Sequence, residues 1–376
     1  MNIEVKEVSS PKELKQFIHY TFQLYRGSQY WLPPVNTDEI NFFNPRKNKA
    51  LANSDTILFM AYRAGKLCGR VMGIINKAYN ERTGQKRARF FKFDCINDPE
   101  ISHALLSSVE KWAHGKGMNG VIGPYGFSDK DPQGLLIQGF EQRAVIITPY
   151  NFPYYSELVE NQGYQKEIDL VEYLIPVPEK IPDFYRRIYE RVTQNSNLKN
   201  LEFRKKHEFK PYIIPILELL NETYSDIYGF VPLDRLEMKK LANDYMMILD
   251  PDFIKVVLEN DQVISFIIAI PDLGPALQKT KGRLFPFGFI RILKEMKRTD
   301  YLVLMLGGVK RSHQGTGLDV MMGTKMLESA SRRGIKTING HLMMETNYKV
   351  RAEMEKMGGT VCKQYRVYLK VLSVKC

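Results

Sequence analysis

The sequence predicts an α+β fold in two tandem units, on three observations. The chain has 376 residues, more than a single hydrophobic core usually serves. Apolar residues alternate at strand spacing in hairpin-like pairs and recur at helical spacing between them. The order of these elements in the first half returns in the second, at a spacing near half the chain. The expected units are 1–178 and 201–376, joined by a partly helical linker at 179–200.

In the first unit, residues 3–8 alternate like a strand, and Pro11 opens a helix through Leu14, Phe17, Ile18 and Phe22 that ends before the Trp31-Leu-Pro-Pro break. Residues 56–62 and 67–75 form a strand pair turned by Arg63-Ala-Gly65-Lys, and 89–96 a third strand. Asn97-Asp-Pro99 caps a helix carrying Ile101, Leu105, Leu106, Val109 and Trp112, and 121–125 returns as a strand. Residues 126–153 are loop-like and long for a simple connection; a short helix over 154–161 and a strand over 170–177 close the unit.

After a linker helix over 181–194 and an exposed loop over 195–200, the order repeats. Strand 201–204, helices 213–224 and 233–247, strands 253–258, 263–270 and 301–306, and strand 335–342 follow. A helix over 347–356 and a strand over 363–372 end the chain. The second unit differs from the first at one junction, Val309-Lys-Arg-Ser-His-Gln314-Gly315-Thr316-Gly317-Leu318, between an apolar strand and an amphipathic helix carrying Met321, Met322, Met326 and Leu327. Glycines at a helix start let the backbone approach a ligand, and the unpaired first-turn amides favour a phosphate or pyrophosphate. Plain turn chemistry gives the same pattern equally often.

Composition narrows the classes. With 44% apolar and 26% charged residues the chain is an ordinary globular protein. Its four cysteines have no metal or redox spacing, which points to a reduced, cytoplasmic compartment and no metal site. The first ten residues offer no apolar signal core, and the longest apolar run, 263–270, is too short to span a bilayer. The net charge of +12 permits an anionic cofactor, nucleic acid or an anionic membrane surface. Zinc-finger and aromatic RNA-binding motifs and a recognition-helix pair are absent from the sequence, which argues against nucleic acid.

The order of elements, with the glycine loop after the fourth strand, resembles the GNAT superfamily of N-acetyltransferases. The residues carrying the likeness are Val309, Gln314, Gly315 and Gly317 at the loop, then Asn347, Glu355, Lys356 and Gly358. The resemblance implies a mixed, mostly antiparallel twisted sheet flanked by helices in each unit. It also implies that amides from Gln314 through Gly315, Thr316 and Gly317 to Leu318 hold the pyrophosphate of acetyl-CoA or another acyl-CoA, with Val309 beside the thioester and Asn347 in the same site. The first unit has Asn97-Asp-Pro99 in place of the loop and resembles a degenerate copy without coenzyme. Gly123-Pro-Tyr-Gly126 and 149–155 resemble uncharacterised bacterial proteins built of two such domains.

Two positions depart from the pattern: Asp319 follows the loop, and the tyrosine that commonly protonates the departing thiolate falls at Met354, which has no proton to give. Tyr348, Tyr365 or Tyr368 could stand in as acid, and Glu345 or His341 as base. For each, a packing, rim or solvated role carries the greater weight. Residues 279–298, with seven basic residues and one acidic, interleave charge with Phe285, Phe287 and Phe289. They read as a lid over an acyl group, a contact with anionic lipid, or a helix with those rings packed beneath it. The function expected is acyl-CoA-dependent N-acyl transfer, most simply of acetyl, to an unidentified amine. The alternatives are a non-catalytic acyl-CoA-binding or membrane-surface protein, and a Fem-like transferase using aminoacyl-tRNA, whose helical arm this sequence lacks. Oligomeric state is left open by the sequence.

Overall fold

A computed structural model describes residues 2–194 and 197–372. The first-half strands are β1 (Ile3–Glu7), β2 (Ser54–Arg63), β3 (Lys66–Asn76), β4 (Arg87–Cys95), β5 (Gly120–Gly123), β6 (Leu135–Gln138) and β7 (Gln165–Pro176). The second half supplies β8 (Leu198–Glu202), β9 (Ile254–Glu259), β10 (Gln262–Pro271), β11 (Tyr301–Val309), β12 (Thr337–Asn339), β13 (Met343–Met344) and β14 (Thr360–Val371). All lie in one mostly antiparallel sheet flanked by helices, with main order β1-β2-β3-β4-β5-β14-β7-β12-β11-β10-β9-β8.

That order exposes an exchange. β5 is followed by β14, and β12 by β7, so each half's last strand borders the other half's fifth strand. The two exchanged strands pair with each other at the centre, antiparallel from Thr360↔Leu174 to Leu369↔Gln165. In both halves the fourth and fifth strands are parallel, over Arg87–Arg89 with Gly120–Ile122 and over Tyr301–Val303 with Thr337–Asn339.

Local chemistry sets most boundaries. Ser10 and Glu13 form a reciprocal capping box on the helix Pro11–Leu24, and Asp98 caps the helix Pro99–Gly115. The β2–β3 turn uses Ala64 and Gly65, both at positive φ, and the β9–β10 turn uses Asn260 and Asp261 likewise. Amphipathic helices cover both faces, with the core of the second half gathered around Phe266, Val303 and the helix Ile213–Thr223.

Several expectations need correcting. The strand expected over 335–342 is only β12, because the chain turns away at Gly340 and His341, the latter at φ 54°. The loop 126–153 contains β6, which pairs with β14. The loop expected over 195–200 lies partly outside the described residues, and β8 already begins at Leu198. Helices not anticipated occur at Asn36–Phe42, Lys77–Thr83 and Gly274–Thr280, whereas Gly288–Met296 falls where one reading of 279–298 placed a helix. Phe285 and Phe287 are not packed beneath a helix; they stand exposed. Cys376 lies outside the described residues. Among the described residues no helix is long and apolar enough to cross a membrane.

Candidate functional site

The site begins where β11 and β12 part. They pair only as far as Val303 and Asn339, while β11 continues to Val309. Along that continuation the register against β10 shifts by one, leaving Met305 as the extra residue of a bulge. The edge of β11 beyond Val303 therefore lies open to the gap. Gly307 there donates its N–H to the Tyr224 hydroxyl oxygen at 3.3 Å, and that hydroxyl donates to the Gly307 carbonyl at 3.0 Å.

Beyond Val309 the chain makes a short turn at Arg311–His313 and reaches the helix Leu318–Arg332 through Gly315 and Gly317. Gly317 is the N-cap at φ 92°, and a Cβ on it would meet Ile188 at 2.9 Å and Val192 at 3.1 Å. Only glycine fits both the left-handed backbone and that contact. The N-cap has no side-chain capping bond, and the Leu318, Asp319 and Val320 amides have no hydrogen-bond partner among the described residues. The turn is braced: Thr316 Oγ1 donates to the His313 carbonyl at 2.6 Å, His313 Nε2 lies 3.0 Å from Glu259, and Arg311 pairs with Asp226 at 2.6 Å. Gln314, Gly315 and Thr316 are exposed. Arg191, on the helix Asp183–Thr193, has a guanidinium nitrogen within 3.9 Å of a Cβ placed on Gly317. Open amides, a positive helix end and a nearby guanidinium are the donor set a pyrophosphate needs. The residues present fit acyl-CoA.

On the sheet face opposite the helix Leu318–Arg332 lies a buried polar network that the sequence reading missed. Glu172 on β7, 0% exposed, accepts from Asn339 Nδ2 at 2.5 Å, from Lys363 Nζ at 3.1 Å and from the Tyr365 hydroxyl at 2.9 Å. Lys363 Nζ also donates to the Arg143 carbonyl at 2.9 Å, and Arg143 pairs with buried Asp272. Asn339 Nδ2 reaches the Tyr301 hydroxyl at 3.0 Å. Burial, with Glu172 alongside, pushes the Tyr365 phenol well above its ordinary range. One signal was available: Glu172 is the single charge in the apolar run 170–175.

His341 joins this network's edge. Its backbone N–H donates to Asn339 Oδ1 at 2.8 Å, and its Nε2 lies 3.1 Å from the Ile146 carbonyl, which accepts and so fixes the proton on Nε2. Nδ1 is left with its lone pair. Burial pulls the imidazole below its usual value, against the opposing effect of Glu172. Ile146 comes from the long 126–153 segment of the first half, which with Val145 packs into the second half's core.

The other named residues are placed differently. Tyr365 is brought to the same network as His341. Glu345 follows β13 and is held against β7, accepting from Lys166 Nζ at 2.9 Å and from the Asp169 amide at 3.2 Å. Tyr348 is 72% exposed at the start of its helix, and the Tyr368 hydroxyl donates to Glu160 at 2.8 Å. Asn347 caps the helix Tyr348–Lys356, with its side chain 3.5 Å from the Val350 amide. Met354 packs beside Tyr173, whose hydroxyl donates to Glu355 at 2.6 Å and accepts from Arg351 at 3.1 Å.

At the corresponding first-half junction, Asp98 accepts from the Glu100 and Ile101 amides and pairs with Arg63 at 2.7 Å. The first-turn amides are thereby occupied. The Tyr155 hydroxyl takes the Cys95 amide at 3.0 Å, and Tyr154 donates to the Cys95 carbonyl at 2.8 Å, so tyrosines fill the end of β4.

No protein-family model matches this chain. It is 25% identical to Protein YghO of Escherichia coli over 97% of this chain and 95% of that one. It is 26% identical to the Bacterial ceramide synthase of Caulobacter vibrioides over 99% and 98%. Among solved structures it is similar to a tandem GNAT protein from the clavulanic acid biosynthesis pathway, with TM-score 0.57, 10% identity and full coverage of both chains. From end to end, this chain has the tandem GNAT fold.

Proposed function

We propose that the chain is an acyl-CoA-dependent N-acyltransferase whose active site lies in the second half. The observation that carries this reading is the glycine turn beside the parted strands, with three open amides at the start of a long helix. Gln314, Gly315, Thr316, Gly317 and Leu318, with Arg191, would hold the pyrophosphate, and Val309 with the open edge of β11 would lie along the remainder. Acyl-CoA supplies the activated acyl carbon. The amine of the acceptor gives a proton to Nδ1 of His341 and forms the amide bond as the C–S bond breaks. Thiols ionise near pH 8.5, so the thiolate can depart near neutrality without a protein acid, and Met354 is compatible with turnover. In this reading Asn347 shapes the wall as a helix cap, and Glu345 and Tyr348 take no part.

The likeness to a protein named as a ceramide synthase supports a narrower acceptor. A ceramide is a long-chain amino alcohol acylated on nitrogen, so the acceptor we propose is the amine of such a lipid base. Met354 favours a second reading, acyl-CoA binding without transfer. Calorimetric titration with CoA and acyl-CoAs of graded length, followed by thiol release across amines including long-chain amino alcohols, separates the two. Binding together with thiol release for a lipid base is expected. Binding with no thiol from any amine leaves only the second reading. Asp319→Asn removes a carboxylate from the first turn and should tighten CoA binding about fivefold, roughly 1 kcal/mol.

A further inference from the structure

The segment between β10 and β11 forms the helices Gly274–Thr280 and Gly288–Met296. Its inner side is fixed. Ala276, Leu277, Ile292 and Met296 are buried in the second half's core, with Leu284 packed against them. Gln278 Nε2 donates to the Gln29 and Trp31 carbonyls at 2.7 and 3.1 Å, and the Asn36 amide donates to the Gly282 carbonyl at 3.0 Å. The segment is therefore bolted to both halves of the chain.

Its outer side is apolar and unpaired. Phe285 is 75% exposed, Phe287 73% and Ile290 52%, with Leu293 one helical turn beyond Ile290 and also exposed. Nowhere else among the described residues do four large apolar side chains stand exposed so close together in the chain. Interleaved with them in the chain are Lys281, Arg283, Arg291 and Lys294, followed by Lys297 and Arg298, all exposed and none with an acidic partner among the described residues. The single carboxylate of 279–298, Glu295, is taken by Lys279 at 2.9 Å.

We propose that this platform docks the protein on an anionic lipid bilayer. The aromatic and aliphatic side chains enter the boundary between headgroups and acyl chains, and the interleaved cations meet the lipid phosphates. Charge selects this occupant. A second copy joined through the same face would set the two sets of unpaired cations against each other, whereas an anionic lipid surface complements them. The docking stands on the patch alone and does not depend on acyl transfer. Should the transferase reading hold, the placement matters, because Asp272 at the root of the platform pairs with Arg143, whose carbonyl takes Lys363 of the buried network. The platform would then bring that face of the sheet to the surface where a lipid base resides.

The test is co-sedimentation of the full chain with phosphatidylcholine vesicles, with and without a quarter of phosphatidylglycerol, at low and high salt. Binding should require phosphatidylglycerol and weaken with salt. Phe285→Ser with Phe287→Ser, and separately Arg291→Glu with Lys294→Glu, should each lower the partition coefficient roughly tenfold or more. Melting temperature and CoA binding should stay unchanged, since these side chains are exposed and away from the glycine turn. Absence of binding to anionic vesicles overturns the proposal, as does binding that salt and both variant pairs leave unaltered. Light scattering that shows a dimer broken by the same variants, with no vesicle binding, also overturns it and assigns the patch to a second copy.

Discussion

His341 is the residue whose chemistry can be tested most directly. Its Nε2 proton is held by the Ile146 carbonyl, so Nδ1 is the basic nitrogen, and burial holds the imidazole neutral to lower pH than a free histidine. A lowered value means the basic form is complete above pH 6.5 and is lost only as pH falls through the depressed value. Thiol release should therefore show an acid limb below pH 6.5. His341→Gln should reduce the rate on the order of a hundredfold and abolish that limb, with CoA binding retained. If the slower variant kept the limb, His341 would be positioning the site and another group would be the base. The sequence allowed His341 to be named because it follows a strand beside the glycine-loop helix. It did not reveal Glu172 or Lys363, since alternation assigns a face to a charged strand residue and says nothing of what covers that face.

At the level of elements, β7 and β14 form an ionic seam. Lys363 is opposite Glu172 in the register, with both side chains almost wholly buried. Three residues toward the other end, Arg366 makes a two-pronged contact with Asp169 at 2.8 and 2.9 Å. Burial acts against the Asp169 carboxylate, yet Arg366 and Lys166 outweigh it and hold the group below its ordinary range. Buried pairs of this kind cost much more when one partner is removed than when both are replaced. Lys363→Met should thus destabilise the chain by about 3–5 kcal/mol, and adding Glu172→Leu should recover part of that loss in urea denaturation. Additive losses in the double variant would show that the pair is not coupled. Most strands were legible from alternation and turn residues such as Ala64 and Gly65, as was the glycine-loop helix, but the short β6 and β13 were not. The neighbour of each strand was not, because pairing between residues nearly two hundred positions apart leaves no local pattern. β12 was overextended for a related reason: 335–342 is apolar enough for a strand, and the turn at His341 is imposed by contacts from the first half.

For the whole molecule, the exchange of last strands makes the two halves mutually dependent. The sequence reading places the end of the first unit at 178, but β7 pairs beside β12 and β14 beside β5. A fragment 1–178 would leave β5 with an open edge and β7 without its neighbours on either side. A fragment 179–376 would leave β12 with β11 alone and β14 with no partner, and would also lack Ile146, whose carbonyl fixes His341. Both would carry long unpaired strands, the usual route to association. Made separately, the fragments should be poorly soluble and lack a cooperative melting transition. Made together, they should assemble one-to-one, because nearly all the missing hydrogen bonds of each are supplied by the other, and CoA binding should return with assembly. Circular dichroism melts and light scattering read both results. Two stable, non-associating monomers would mean that each half can close its sheet with its own last strand, and the exchange would then be a choice between two pairings instead of a requirement of the fold.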